Sequence, residues 1–539
     1  MSASGAEVAA DILVVGGGLG GVAAALAAAR SGRRVLLAEE YPWLGGQSTS
    51  QAVPPDEHGW MERFGGTRTY GELREGVREY YRRWYPLTAR ARADRRLNPG
   101  LGRVSGLCHE PRVSVAVIEG MLAPWRAAGR LEIRLRHRPV AATTDGDRVT
   151  SVTLRDLDSG AETVAVAPWV IDATETGELL PLTGTEYVTG FESQGDTGEP
   201  SAPQVRQPLN MQAASWCFAI DHVDGDHTID RPDDYDHWRG YRPDYWPGPM
   251  LGLLAPHPHT LEPRQHYFHP NTDADAGFRS PGRPDPDPDE LWTFRRILAQ
   301  ATFEPGTLHS DVTLVNWPMI DYVEGPLFEV GEEESARHIR GAKRQALSFF
   351  YWLQTQAPRP DGGTGFPGLR LRPDITGTPD GFAQAPYIRE SRRIAAEYTV
   401  VEQDVSRAER AGRGIRRHAD SVGIGFYRLD LHPSSGGDNY IDLRALPFEI
   451  PLGALLPVRM RNLLPAAKNI GTTHITNGCY RLHPVEWNIG ESAGLLAAHA
   501  LGSGVDPREV RSDERRLRDF QRLLTAEGID LSWPAPGLD

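Results

Sequence analysis

The sequence predicts an α/β fold in which a parallel sheet, opened by a glycine-rich turn, is interrupted by a loop-rich α+β segment. Three observations predict it. The apolar run Ile12-Leu13-Val14-Val15 meets a cluster of glycines and then a helix of small residues. From Leu131 the apolar period changes to two. Near the end, a second buried-strand pattern over 462–468 leads into another helix of small residues.

The first element carries the most chemistry. Gly16, Gly18 and Gly21 stand in the G-x-G-x-x-G spacing that brings backbone N–H groups against a pyrophosphate, with Gly17 and Gly20 in the same turn. Gly16 permits the tight turn, Gly18 the approach of a phosphate, and Gly21 the packing of helix on sheet. A helix over 22–30 then directs its positive end at the anion. Ser31-Gly32 stops it, and 35–38 is a short buried strand. Glu39, backed by Glu40, follows Gly21 by 18 positions, where a carboxylate binds a ribose 2′-hydroxyl. The chain also holds a decoy: Gly363, Gly365 and Gly368 share the spacing, but no apolar run precedes them and Pro358, Pro360 and Pro367 forbid a strand-to-helix turn. The uncharged run 12–29 has the length of a short membrane span, yet five glycines break it and Asp11 stands where a signal peptide is basic. The motif reads as a Rossmann-like dinucleotide cradle.

Length and composition fit a soluble globular chain of two connected domains: 539 residues, 40% hydrophobic and 24% charged. A net charge of −14 argues against nucleic acid or an anionic membrane as partner. Cys108, Cys217 and Cys479 are odd in number and far apart, which fits apolar fillers in a reducing cytoplasm. The 57 glycines and 43 prolines concentrate between 190 and 305, where PDYWPGPMLGLLAPHPHTLEPRQHYFHP and RPDPDPDE preclude long helices. Prolines between His257, His259, His266 and His269 spoil a ligand face, so no metal is expected.

Gly45-Gly46-Gln47 allows close approach to a bulky ligand after the second strand. Helices are expected over 74–85 and 111–125. The stretches 131–136, 148–154 and 161–166 alternate and read as an antiparallel meander, returning through 168–172 to Ala173-Thr174. The spacing predicts a long helix over 332–356, a largely helical, charged stretch over 386–409, a helix over 489–500 and an outer one over 513–524. The expected organisation is a cofactor domain from 8–189 and 446–505, a substrate or cap region over 190–445, and a C-terminal helical brace over 506–539.

Together, GGGLGG, Glu39, LGGQ, the meander, VIDATETGE and NLLPAAKNIGTTHITNGCYRLHPVEWNIGESAG resemble the FAD-dependent oxidoreductases with a glutathione-reductase-type FAD-binding fold, over nearly the whole chain. The resemblance implies FAD as cofactor and a set of placements. Residues 16–21 hold the pyrophosphate, Glu39 the adenosine ribose, and Gly45, Gly46 and Gln47 pass beside the pyrophosphate and ribityl chain. Val140 lies near the adenine, and Ala173 and Thr174 form a turn beside the cofactor. Lys468 and Asn469 contact FAD, and Asn488 and Ile489 begin the helix beneath the isoalloxazine. A helix N-terminus there stabilises negative charge on the reduced flavin.

Catalytic candidates cluster ahead of that helix: His474, Asn477, Tyr480, Arg481, His483 and Glu486. Asn477-Gly478-Cys479-Tyr480-Arg481-Leu482 is similar to the His-Gly-x-Asn-Arg-Leu stretch of the fumarate reductase group, which makes Arg481 a substrate-orienting candidate, with Asn477 in place of the histidine. His483 is the first choice for acid/base work, because imidazole titrates near working pH; its alternative role is to cap the helix or hold a carbonyl. Arg389 and Glu390 form a second cluster, and His432 and Asn316 rank third. No second nicotinamide fingerprint is present, nor the Gly-Asp and Ala-Ala-His ending of aromatic hydroxylases, nor a halogenase-like Trp-x-Trp-x-Ile-Pro. The expectation is an FAD-dependent oxidase or dehydrogenase taking hydride from a C–H bond of a small polar molecule, with oxygen or another acceptor reoxidising the flavin. A natural-product intermediate suits the Trp, Tyr and Arg of the middle region. A flavin monooxygenase, an ene-reductase, and a non-redox FAD-binding or RNA-modifying protein are the alternatives.

Overall fold

The computed structural model describes residues 6–272 and 290–534; the RPDPDPDE stretch, apart from Glu290, lies outside them. Five parallel strands form the central sheet, in the spatial order Leu463–Pro465, Trp169–Asp172, Ile12–Val15, Val35–Glu39 and Leu131–Leu135. Strands from the beginning and the end of the chain therefore complete one layer. Val, Ile and Leu fill Ile12–Val15 without alternation because helices and a second sheet cover both faces.

The meander differs from its expectation at its start. Leu131–Leu135 is the edge strand of the parallel sheet; Arg136, at φ 61°, then turns the chain out of it. The separate four-stranded sheet is Ala6–Ala9, Glu162–Val166, Arg148–Asp156 and His137–Asp145, in which Ala6–Ala9 pairs parallel to Glu162–Val166. An edge strand buried on one face alternates just as a hairpin strand does, so period alone does not assign it to a sheet.

Helix Leu19–Arg30 buries every residue except Arg30 and packs against helix His483–Ser503. The late helix starts six residues before the expected 489. Leu482 is extended and Pro484 occupies the first turn, where its missing N–H costs no hydrogen bond. Asn488 and Ile489 consequently sit inside the helix rather than at its positive end.

The middle of the chain builds a second four-stranded sheet, Arg296–Leu298, Val312–Val315, Phe218–His222 and Leu369–Leu371. The long helix Glu332–Thr355 packs Phe349, Phe350 and Leu353 into the core on this side. Residues 386–409 are not largely helical: only Glu402–Val405 is. The segment instead threads between layers, bridging Tyr387 to Ser215, pairing Arg393–Ile394 with Tyr187–Val188, and bridging Val400 to Thr472. Its charges belong to buried ion pairs rather than to a solvated helix face. The decoy glycines fall in an irregular stretch, as expected. Among the described residues no helix is long and apolar enough to cross a membrane, and no cluster of metal-ligating side chains forms.

Candidate functional site

Three loops converge at the carboxyl ends of the parallel strands. Gly16 adopts φ 97°, and a Cβ there would lie 2.1 Å from the Ala173 carbonyl oxygen. Gly45, at φ 106°, donates its N–H to the Gly17 carbonyl at 2.7 Å. A Cβ on Gly46 would come within 2.9 Å of the Gly18 Cα. The absent side chains leave a cleft of about 470 Å³ lined by Gly16, Gly18, Glu39, Glu40, Ala173 and Thr174, among others. Glu39 accepts hydrogen bonds from the N–H of Gly17 and, at 2.8 Å, of Tyr41. Burial pushes its carboxyl up to about 8. Glu40 is also raised, again chiefly by burial. The Thr174 N–H and hydroxyl both donate to Asp172, at 3.0 and 2.7 Å, which fixes the third loop.

Two acidic side chains reach into the cradle. Gly20 N–H donates to the Glu486 carboxylate at 3.3 Å, and the carboxylate oxygens of Glu175 and Glu486 border the space a Gly18 side chain would take. Lys468 pairs with Glu175. A helix N-terminus, a floor of glycines and an acidic side chain closing the second strand form a set that fits a dinucleotide cofactor. Val140 is the unpaired residue of a bulge between Pro139 and Ala141, beside the cleft-lining Arg138 and Pro139. Asn469 uses its side chain on the protein itself, accepting from Ala467 N–H at 3.1 Å and donating to the Asp172 carbonyl at 3.0 Å. Asn488 likewise serves Ile424 N–H and Ser492, at 3.2 Å each, and fully buried Ile489 packs in the core. Neither stands at the helix start; that place is held by His483, Pro484, Val485 and Glu486.

From the cradle a buried polar network runs inward. Gln47 donates to the Arg481 carbonyl at 2.9 Å and to Glu486, and accepts from the Tyr387 hydroxyl at 3.3 Å. Arg481 donates to that hydroxyl at 3.0 Å, and to the carbonyl and carboxylate of Asp430 at 3.0 and 3.3 Å. His432 follows: Nδ1 lies 2.6 Å from Asp321 Oδ2, and Nε2 lies 3.9 Å from Asp430 Oδ2. The other Asp321 oxygen accepts from the Ser215 hydroxyl at 2.6 Å and forms an ion pair with Arg389 at 3.1 Å. Burial pushes the Asp321 carboxyl up, but Arg389 and then His432 outweigh it and hold it low; Arg428 does the same for Asp430. His432 is lowered, by burial first and Arg389 second, against the pull of Asp321. Nε of Arg389 and of Arg481 and the hydroxyls of Tyr245 and Tyr440 are buried without hydrogen-bond partners among the described residues.

The sequence-derived catalytic candidates divide on this geometry. Arg481 and Arg389 belong to the network. Glu390 faces a different one, accepting from Gln212 N–H at 3.0 Å and pairing with Arg393 and His474; His474 first and then Arg393 outweigh burial and hold it at about 2. His483 accepts from Asp56 N–H at 3.2 Å on Nδ1 and meets the Val53 carbonyl at 3.3 Å on Nε2, and burial lowers it to about 4. With both nitrogens bound to backbone, its geometry matches the carbonyl-holding alternative rather than acid/base work. Asn477 donates to the Arg389 carbonyl at 2.8 Å, and Tyr480 to the Glu449 carbonyl at 2.8 Å. Asn316 is buried with its Oδ1 unpartnered among the described residues. Tyr387, Asp321 and Asp430 were not singled out from the sequence. For Asp321 the signal is there: an acid inside Met319-Ile320-Asp321-Tyr322-Val323 is costly to bury unless it is paired.

A glycine-turn cradle on a parallel sheet, joined to a buried network of paired ionisable groups, defines an enzyme that uses a dinucleotide cofactor. A family model described as FAD dependent oxidoreductase matches residues 11–524. The chain belongs to that family, its cofactor is FAD, and it is an oxidoreductase. Among solved structures it is similar to p-nitrophenol 4-monooxygenase from Pseudomonas putida, at 12% identity over 97% of this chain and 89% of that one, with a TM-score of 0.35. It is also similar to a geranylgeranyl bacteriochlorophyll reductase-like protein from Thermoplasma acidophilum, at 12% identity, 97% and 85% coverage and a TM-score of 0.32. A third is the myxobacterial chondrochloren halogenase, at 13% identity, 96% and 82% coverage and a TM-score of 0.29. Likenesses this distant leave the reaction open. No curated protein matches the sequence.

Proposed function

We propose that this FAD enzyme is an oxidase or dehydrogenase that removes a hydride from a C–H bond of a small polar molecule, with oxygen or another acceptor taking the electrons onward. The observation that supports it is the unbroken path of hydrogen bonds from Gln47, at the cradle, through Tyr387 and Arg481 to Asp430. FAD, when bound, supplies a two-electron acceptor. The chain's residues do the rest. Gly16–Gly21 and the N-terminus of Leu19–Arg30 hold the pyrophosphate, and Glu39 the ribose. The first turn of His483–Ser503 presents its positive end beside Gln47, where it favours added negative charge. Arg481 and Arg389, each locked by a carboxylate, hold and orient the substrate. Buried, unpaired thiols at Cys108, Cys217 and Cys479 support a reducing, cytoplasmic setting. Trp216 at the cleft and Tyr387 in the network support an aromatic or polar natural-product intermediate as substrate.

Anaerobic mixing of the FAD-loaded protein with a panel of alcohols, amines, hydroxy acids and saturated carbonyl compounds tests this. The expected result is loss of the yellow flavin absorbance with an organic member of the panel. Bleaching by NAD(P)H alone would overturn the proposal in favour of a monooxygenase or an ene-reductase.

A further inference from the structure

We infer that the site takes an uncharged, hydroxyl-bearing substrate, and that His432 Nε2, with Asp321 behind the ring, accepts the proton of the hydroxyl being oxidised. The inference rests on the oxidative reading above and narrows its substrate to alcohols.

The orientation of His432 comes first. Asp321 is wholly buried, with Oδ2 at 2.6 Å from His432 Nδ1 and Oδ1 occupied by Ser215 and Arg389. A carboxylate held ionised only accepts hydrogen bonds, so Nδ1 carries the proton and Nε2 keeps its lone pair. A buried carboxylate fixes a catalytic histidine's tautomer in the same way in Ser-His-Asp sites. At 3.9 Å from Asp430, Nε2 is beyond hydrogen-bond reach, and the side chain keeps 19% exposure, so the ring can be approached. His432 is lowered by burial and Arg389, and is thus a free base at neutral pH.

Charge balance sets the substrate class. Each arginine of this region already faces a carboxylate: Arg389 with Asp321 at 3.1 Å, Arg481 with Asp430 at 3.3 Å, Arg295 with Asp56 at 3.2 Å, and Arg428, which also flanks Asp430, with Asp442 at 3.3 Å. An anionic or cationic substrate would add a buried charge without a counterpart. The open capacity is neutral. Among the described residues the Tyr440 and Tyr245 hydroxyls have no partners, the Tyr440 ring is 5.5 Å from His432, and burial keeps both phenols protonated. Phenols in this state donate to and accept from an alcohol oxygen.

In the step, the substrate O–H bond breaks and its proton moves to His432 Nε2. The adjacent C–H bond breaks, and its electron pair leaves with the hydrogen as the hydride that FAD, when bound, would accept. The C–O bond becomes a carbonyl, so that one proton and one hydride account for both hydrogens. Asp321 and Asp430 favour the resulting imidazolium and Arg389 opposes it.

The test uses FAD-loaded wild type, His432→Asn and Asp321→Asn, mixed anaerobically with glycerol, glucose, cyclohexanol and benzyl alcohol, and in parallel with lactate and benzylamine. Alcohols are expected to bleach the wild type, and His432→Asn to slow bleaching by roughly 10²–10⁴-fold. The wild-type rate should rise with pH and level off as His432 loses its proton, with Asp321, Asp430, Arg389 and Tyr440 the ionisable groups facing it; His432→Asn should lack this limb. Independently of turnover, ¹⁵N-histidine spectra should show the resonance lost in His432→Asn as the Nδ1–H tautomer. Bleaching of His432→Asn within about threefold of wild type, or an Nε2–H tautomer, would overturn the role of His432. Bleaching by lactate or benzylamine but by no alcohol would overturn the inference and leave the oxidative reading standing. Bleaching by NAD(P)H and by no organic compound would overturn both.

Discussion

Glu39 binds two backbone N–H groups with a carboxyl that burial pushes up to about 8, whereas the unfolded chain titrates it near 4.5. Between those values the folded state binds a proton that the unfolded state has lost. Stability therefore falls as pH rises through this window, by at most about 1.4 kcal/mol per pH unit; below it both states are protonated and the penalty is absent. In the cofactor-free protein, Glu39→Gln should gain thermal stability relative to wild type as pH rises from about 5 to 8, while retaining FAD less well. Parallel melting-temperature curves against pH would refute the linkage. Residues such as Gly16, Gly18 and Glu39 were legible in the sequence because their chemistry lies in one short stretch of chain. The two Leu-His-Pro triplets, Leu431-His432-Pro433 and Leu482-His483-Pro484, show the limit. Locally they are identical; one histidine is held by the side chain of Asp321, 111 positions away, and the other by the backbone at Val53 and Asp56. No local spacing distinguishes them.

Helices Leu19–Arg30 and His483–Ser503 meet backbone to backbone. A Cβ on Gly490 would lie 2.0 Å from the Gly20 carbonyl oxygen, and one on Gly494 would lie 2.3 Å from that of Ala24. Side-chain adjustment cannot relieve a clash with backbone, so the helices must separate, and with them the glycine turn and the first turn beside Gln47. Gly490→Ala should cost about 1–3 kcal/mol and lower FAD retention, as read by denaturant unfolding and by flavin content after purification. Gly120, exposed in helix Pro111–Ala127 with nothing within 4 Å of its absent Cβ, is the control: Gly120→Ala should stabilise by up to about 1 kcal/mol. Equal effects at the two sites would deny the close contact. Both helices were legible from their small residues, but the start of the later one was hidden by Pro484, a breaker inside a helix and a favoured residue in its first turn. The stretch 386–409 misled for a different reason. Charge richness marks a solvated helix only when the charges face water, and here Arg389, Glu390 and Arg393 pair in the interior.

At the scale of the whole chain, the sheet of the cradle and the sheet of the middle region are tied by the segment that threads between them. It bridges Tyr387 to Ser215 at one end and Val400 to Thr472 at the other, and Arg481 reaches the Tyr387 hydroxyl at 3.0 Å. Opening either part strips partners from buried charges in the other, a cost that favours concerted unfolding. The cysteines report on this from separate places: Cys217 packs where the middle-region sheet meets Val77 and Tyr81 of the N-terminal part, Cys479 in the core of the cradle helices, and Cys108 beside Gly102, all wholly buried. Burial pushes the thiols of Cys108 and Cys217 up to about 12 and that of Cys479 up as well, so the native protein offers little thiolate. Pulse alkylation across a urea series, read by mass spectrometry, should leave all three unlabelled in native buffer and label them with one midpoint. Saturating FAD should raise that midpoint equally for each, because the ligand stabilises the only folded state there is to bind. Labelling of Cys217 in a transition ahead of Cys479 would instead mean that the middle region unfolds on its own, and that the segment through Tyr387 and Arg389 does not couple it to the cradle.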